Sequence, residues 1–169
     1  MLYVGAMKQL CTVLAILLPV SAFAASPSTL GPDGGKFGAW TAAVSGSGDS
    51  AVCYAFTTPL ISKPNWKSRA RVMLTVTERS DARDEITLTP GYAYPKKAKV
   101  ALTVGTQNFP FYVDSGTAFT DDSTAILAAL HKADAADAKS TGPKGKPVAD
   151  KFSLDGFSAA YKAILTACP

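Results

Sequence analysis

Residues 71–78 read Arg-Val-Met-Leu-Thr-Val-Thr-Glu, and this stretch carries the pattern that decides the fold. Apolar side chains recur at every second position, at Val72, Leu74 and Val76, with a methionine and two threonines between them. Successive side chains of an extended chain point to opposite faces, so one face of this segment is apolar and the other is largely polar. The stretch therefore predicts a β-strand that is buried on one side only.

Further stretches before and after it show the same period of two, and turn-forming residues separate them. The predicted strands cover residues 37–44, 51–57, 71–78, 85–89, 100–104, 109–113 and 147–154. Short strands that are joined by turns favour an antiparallel β-sandwich or barrel.

Two segments have helical spacing instead. Asp121 and Asp122 suit the positive end of a helix dipole, and the apolar residues after them predict one short helix. Near the C-terminus, apolar residues follow one helical stripe. The stripe consists of Phe157, Ala160, Tyr161, Ile164, Leu165 and Cys168. We expect Ser153 or Asp155 to cap this helix and the stripe to pack on the sheet.

Residues 1–24 have the three parts of a secretory signal peptide. They are a positively charged start, a short apolar run at residues 10–20 and an Ala-x-Ala exit. The run is too short to span a bilayer, which takes about 20 residues. We therefore expect cleavage after Ala24, a flexible Pro- and Gly-rich leader over residues 25–36, and one domain over residues 37–169 without a transmembrane span.

Two cysteines remain after such cleavage, Cys53 and Cys168. In an oxidising compartment an isolated pair is most simply a disulfide, and the alternative is two buried free thiols. For so long a loop the chain-entropy model gives a stabilisation of roughly 4–5 kcal/mol.

The residues offer little material for catalysis. His131 is the only histidine, so a triad that needs a histidine base has a single candidate and no supporting motif. The usual metal-ligand spacings are missing from the sequence. The charged residues Arg79, Asp81, Arg83, Asp84 and Glu85 are expected to form a solvated turn. We therefore predict a protein that is not an enzyme and has no cofactor and no metal site.

One basic segment is a candidate interaction patch. Its members are Lys63, Trp66, Lys67, Arg69 and Arg71. Cations beside an indole suit anionic lipid headgroups, lipopolysaccharide phosphates or an acidic partner, whereas the alternative is a solvated loop with its tryptophan folded onto the core. The formal net charge of the chain is only +4, which with export does not favour nucleic acid as a partner.

These residues resemble the invasion-associated locus B (IalB) family of exported bacterial proteins. The resemblance rests on Phe-Gly-Ala-Trp at residues 37–40, Cys-Tyr at 53–54, the strand at 72–78, and residues 145–160 leading to Cys168. The closing Ser-Leu-x-Gly-Phe-x-x-Ala is the most specific part of the match. A second cysteine pair of some members is absent from this sequence.

The resemblance implies an immunoglobulin-like β-sandwich in the periplasm or outer envelope of a Gram-negative bacterium, in a virulence-associated family without an established enzymatic activity. Trp40, Cys53, Gly156, Phe157 and Cys168 match the family as structural residues. We expect a non-enzymatic protein that binds another envelope protein or an anionic envelope surface. The alternatives are a carrier of a small ligand or lipid, and a glycan hydrolase that uses only carboxylates.

Overall fold

The computed structural model describes residues 26–169. The predicted signal peptide, residues 1–24, lies outside the described residues. The described part contains twelve strands and three helices. The strands are β1 (Ser28–Thr29), β2 (Lys36–Phe37), β3 (Trp40–Ser45), β4 (Val52–Thr57), β5 (Ile61–Lys63), β6 (Met73–Arg79), β7 (Ala82–Thr89), β8 (Val100–Val104), β9 (Gln107–Asp114), β10 (Thr117–Phe119), β11 (Ala135–Thr141) and β12 (Pro147–Ser153).

The helices are α1 (Pro32–Gly35), which is a single turn, α2 (Ser123–Leu130) and α3 (Phe157–Ala167). Within residues 26–169, no helix has both the length and the apolar character needed to cross a membrane. Gly156 is the N-cap of α3, and neither Ser153 nor Asp155 caps it as we expected. Gly156 has a φ of 82°, and a side chain there would overlap the backbone of Phe37 and Gly38. The close approach of these two segments therefore decides how the helix begins.

The strands pair in the order β1-β3-β4-β6-β7-β10-β9-β8-β11-β12-β5, and β2 pairs with β3 beside this path. Every pairing is antiparallel. The long strand β9 joins two halves, because its first part pairs with β8 and its last part with β10. We call β1, β2, β3, β4, β6, β7 and β10 the first half of the sheet, and β8, β11, β12 and β5 the second half.

The sheet curls until the two halves meet. Trp40 of β3 donates its indole N–H to the carbonyl of Ser153 at the end of β12, at 3.1 Å. The backbone N–H of Ala39 donates to the carbonyl of Asp155, also at 3.1 Å. Since β3 and β12 lie far apart along the strand order, these contacts require the inner faces of the halves to enclose a common interior.

That interior is one hydrophobic cluster. Alternate residues of the strands point into it, as the period of two predicted, and α2 and α3 add their apolar faces. Trp40, Phe152 and Phe157 are among its largest fully buried side chains. Each side chain of this size contributes about 1.5–3 kcal/mol by its burial. The prediction of a mainly β, antiparallel fold with a short helix and a C-terminal helix packed on it is confirmed.

Some elements differ from the predictions. Ser28–Thr29 pairs with β3 where we expected a flexible leader, so regular structure begins before Phe37. The strands β5, β10 and β11 were not predicted. β5 and β10 have only three residues each, and β11 is rich in alanine, so none of them shows the alternation of β-branched residues that marks a strand.

Candidate interaction surface

Lysines gather on the outer side of the second half. Lys139 of β11 and Lys63 of β5 both lie opposite Ala149 of β12, one on each side of it. Cross-strand partners point to the same face, and adjacent strands are about 4.8 Å apart, which places these two lysines about 10 Å apart across the sheet. Lys151 lies next along β12, between Asp137 and Ile61.

Shallow depressions lie between these lysines. One of about 470 Å³ is lined by Lys63, Lys139 and the exposed apolar residues Pro147 and Ala149. A neighbouring one is lined by Lys99 and Lys139. We call Lys63, Lys99, Lys139 and Lys151 the basic face, and all four are exposed.

The charge of the basic face is only partly offset. Asp137, which lies opposite Lys151, is the acidic neighbour in register. In residues 26–169 the ion pairs are made by Arg69, Arg79 and Arg83, and lysines take part in none of them. Three of the four arginines in the described chain are thus paired within the protein, while the lysines of the basic face remain free of ion pairs there.

Arg69 belongs to the interior and not to the candidate interaction patch, which is a correction to the sequence prediction. Its guanidinium binds both carboxylate oxygens of Asp150, at 2.8 Å and 2.6 Å, and its Nε donates to the carbonyl of Pro90 at 2.7 Å. The side chains of Arg69 and Asp150 are 5% and 4% exposed. Trp66 and Tyr92 each place a ring centroid 5.4 Å from the guanidinium carbon. Arg69, which the sequence analysis assigned to an interaction with a partner, is therefore paired inside the protein.

The other members of the patch are split. Trp66 is half-buried, with its ring 5.7 Å from that of Tyr92, as the alternative reading of a tryptophan folded onto the structure expected. Lys63, Lys67 and Arg71 are exposed. Lys63 lies beside Lys139 and Lys151 of the basic face, which the sequence analysis missed. The signal for this face was that every second residue points outward, at Asp137 and Lys139 on β11 and at Ala149 and Lys151 on β12. The alanines in these strands made the alternation hard to recognise.

The charged turn at residues 79–85 is accessible to solvent, with Asp81 82% and Arg83 43% exposed, but it contacts a buried carboxylate. Glu78 just before it is fully buried. Its carboxylate lies 2.7 Å from Nε of Arg83 and accepts the backbone N–H of Asp84 at 3.1 Å. The hydroxyl of Tyr161 on α3 donates to Asp84, and Arg83 donates to the carbonyl of Cys168 at 2.9 Å. The turn therefore ties the C-terminal helix to the sheet.

Burial governs the titration of this cluster. Burial, together with a hydrogen bond to the side chain of Asp84, raises the pKa of Glu78 from 4.5 to about 7, and the charge of Arg83 opposes the shift. Burial and the hydrogen bond to Asp84 also raise the pKa of Tyr161. Glu78 can therefore hold a proton near neutral pH, but its complete burial keeps it away from a substrate.

The residues that we expected to be structural are so. Cys53 and Cys168 form a disulfide whose Cα atoms are 6.0 Å apart. The rings of Trp40 and Phe157 lie 4.8 Å apart in the core. His131 is exposed, with Nδ1 2.7 Å from the hydroxyl of Ser158. Of the groups described here, the basic face gathers several exposed lysines on adjacent strands.

Comparison with known proteins gives one match. A family model described as "Invasion associated locus B (IalB) protein" matches residues 40–165, which is more than half of the chain. Nothing among curated proteins and nothing among solved structures matches the chain.

Proposed function

Since the chain belongs to the invasion associated locus B (IalB) family, we propose that it is an exported, non-enzymatic protein of the cell envelope that binds an anionic envelope surface. Export would bring it to the periplasm or outer envelope, as the signal-peptide pattern of residues 1–24 suggests. The Cys53–Cys168 disulfide supports this location, because such bonds persist in oxidising compartments.

The basic face carries the proposal. Lys63, Lys139 and Lys151 project from adjacent strands of a rigid sheet, and none of them is in an ion pair within the described chain. A lysine near an anionic membrane surface contributes about 1 kcal/mol to binding, and the attraction falls off within a Debye length. The apolar lining between them, at Pro147 and Ala149, offers contact to the aliphatic parts of the ligand.

The buried acids support a role without catalysis. Two carboxylates of a glycan hydrolase must flank a substrate, with roughly 5–10 Å between them. Glu78 is instead fully buried and engaged by Arg83 and by the backbone N–H of Asp84. This arrangement serves the attachment of α3 and not the protonation of a leaving group.

Vesicle binding tests the proposal. The purified oxidised protein is mixed with phosphatidylethanolamine vesicles that do or do not contain phosphatidylglycerol, and the bound fraction is measured by sedimentation across a salt series. We expect binding only to the anionic vesicles, weakening with salt. The triple variant Lys63→Glu, Lys139→Glu, Lys151→Glu should bind roughly a hundredfold more weakly, at about 1 kcal/mol per lysine.

The matched control changes the same amount of charge elsewhere. Lys96→Glu, Lys132→Glu, Lys162→Glu replaces three exposed lysines outside the basic face. This control should retain most of the binding. Equal losses in both triple variants would show that only net charge matters, and unchanged binding in the first would eliminate the basic face as the site.

A carrier of a small ligand is the second candidate, and one observation favours it. A groove of about 480 Å³ lies between α2 and the turn that joins β8 to β9, lined in part by Ala125, Ala129 and Val104. Protein isolated from its own envelope fraction can be examined by native mass spectrometry. A stoichiometric bound lipid or small molecule would favour the carrier, whereas a bare polypeptide mass that lacks residues 1–24 fits the envelope-binding protein.

A further inference from the structure

The outer face of the first half differs in chemistry from the basic face. Five residues lie side by side across it, one on each of five strands, because each is the register partner of the next. In spatial order they are Tyr112, Phe119, Thr87, Thr75 and Phe56. We call this row the aromatic–threonine row.

All five side chains point outward. Their neighbours along the strands, such as Ala118, Leu88 and Leu74, belong to the buried core, so the alternation of β-strands places the row on the solvent side. Tyr112 is 52% exposed, and the other four are partly exposed. With a spacing of about 4.8 Å between strands, the row spans about 19 Å.

Aromatic rings stand at both ends of the row and hydroxyl groups stand in the middle. Tyr112 stacks on Phe119, with ring centroids 5.9 Å apart and planes 23° apart. At the other end, Phe56 lies 6.0 Å from the ring of Tyr54. Between the aromatic pairs, Thr87 and Thr75 present two hydroxyl groups at the repeat of the strands.

The row itself is uncharged, and one exposed acidic side chain, Asp114, lies two residues beyond Tyr112 on the same face of β9. Glu85, on the strand of Thr87, is paired with Arg79 at 2.7 Å. Beyond Phe56, the ammonium of Lys36 donates to the hydroxyl of Thr41 at 2.9 Å. Because the row itself carries no charge and an acidic side chain lies beside it, charge complementarity disfavours an anionic ligand and fits an uncharged one.

We infer that the aromatic–threonine row binds an extended, uncharged polysaccharide chain. Sugar rings offer C–H faces that pack on aromatic rings and hydroxyl groups that exchange hydrogen bonds with threonine. A linear row suits a linear polymer. A protein partner fits less well, because threonine is under-represented among the residues that dominate protein interfaces. This site is separate from the basic face and does not depend on the proposed function.

Binding to an uncharged oligosaccharide tests the inference. The oxidised full-length protein without its signal peptide is titrated with N-acetylchitohexaose and with cellohexaose by isothermal calorimetry. We expect saturable binding to at least one of them. The variant Tyr112→Ala, Phe119→Ala removes one aromatic pair and should weaken binding roughly tenfold or more.

A second pair of variants guards against loss of folding. Thr75→Val, Thr87→Val keeps the shape and the strand propensity but removes both hydroxyl groups, and it should weaken binding with an unchanged unfolding midpoint. Thr103→Val makes the same chemical change on the outer face of the second half and should leave binding unchanged.

Three results would overturn the inference. The first is that the parent protein binds neither oligosaccharide. The second is that the parent and the Tyr112→Ala, Phe119→Ala variant bind with equal affinity. The third is that the parent sediments as a dimer and this variant sediments as a monomer. The last would make the row an interface between copies of the chain. The triple lysine variant of the basic face should bind these oligosaccharides normally, which separates this site from the envelope-surface proposal.

Discussion

Two distant segments are tied to the sheet in different ways. The loop after β5 is held by the buried pair Arg69–Asp150, in which every polar atom of the guanidinium and carboxylate region has close partners. The helix α3 is held by the Cys53–Cys168 disulfide and by the hydrogen bonds of Tyr161 to Asp84 and of Arg83 to the carbonyl of Cys168. Arg83 also forms the less complete buried pair with Glu78. One segment has no covalent link and the other has one.

The two ties differ in how completely their buried charged groups are hydrogen-bonded. The bidentate geometry of Arg69 and Asp150, with Ser62 and Pro90 completing the hydrogen bonds, gives both buried groups close polar partners. Glu78 has a single close arginine nitrogen and an acidic neighbour, and its pKa rises to about 7. A covalent bond beside the pair allows its charge to vary without release of the helix. The first tie also positions Lys63 and so supports the basic face.

Loss of the disulfide should have the largest effect. Replacing both cysteines by serine releases a 115-residue separation, for which chain entropy predicts a loss of about 4–5 kcal/mol in the free energy of unfolding. Urea unfolding of the oxidised parent and the double variant measures this loss. At urea concentrations below the unfolding transition, vesicle binding should be unchanged, because the basic face is remote from α3. A loss under about 1 kcal/mol would mean that the noncovalent contacts of α3 suffice.

Removal of Asp150 should have a similar or slightly smaller effect. Asp150→Ala leaves the Arg69 charge buried without its partner, which costs about 3–5 kcal/mol. It should also weaken binding to anionic vesicles, because β5 and Lys63 lose their anchor. The double variant Arg69→Met, Asp150→Leu should recover much of the stability. If it is as unstable as the single variant, the hydrogen bonds and not the unpaired charge account for the loss.

Glu78 should give the C-terminal tie a pH dependence. Its pKa is raised in the folded protein, so the stabilisation that it contributes is full below about pH 4.5 and is lost as the pH rises through about 7. The stability of the parent relative to Glu78→Gln should therefore fall between these values, by up to about 3 kcal/mol.

Urea unfolding across this pH range measures the difference, and Glu85→Gln is the control. Glu85 is on the neighbouring strand and pairs with Arg79 near the surface. The difference in free energy of unfolding between the parent and Glu85→Gln should not fall between pH 4.5 and pH 7. A flat profile for Glu78→Gln would show that folding does not shift the pKa of Glu78.

The smallest effect should come from the exposed pair of Arg79. Its side chain is 34% exposed, and it contacts Glu85 and Asp81 in solvent. Arg79→Gln should cost no more than about 1 kcal/mol by thermal or urea unfolding. A cost as large as that of Asp150→Ala would remove the distinction between buried and exposed pairs in this fold.

The sequence predicted much of the framework because the framework is periodic. Alternation located the strands around Cys53, Val76 and Ile86, and the helical stripe from Phe157 located α3. The disulfide was expected from two cysteines in a chain that we predicted to be exported. Short elements such as β5 and β10 escaped, because three residues are too few to show a period.

The candidate surfaces were predicted less well. The basic segment was found, but nothing local distinguishes Arg69 from Lys67, and only the position of Asp150, 81 residues later, buries one and not the other. The aromatic–threonine row is also invisible along the chain. Its five members come from five strands, and only register places them in one line.

By itself, the sequence determined the strand periods, the C-terminal helix and the pair of cysteines, because each of these depends on spacing or count along the chain. The tertiary structure alone decided which arginine forms an ion pair in the interior, which lysines form the basic face and how Glu78 titrates. These depend on long-range partners and on burial, since desolvation and charge pairing act through space and not along the sequence.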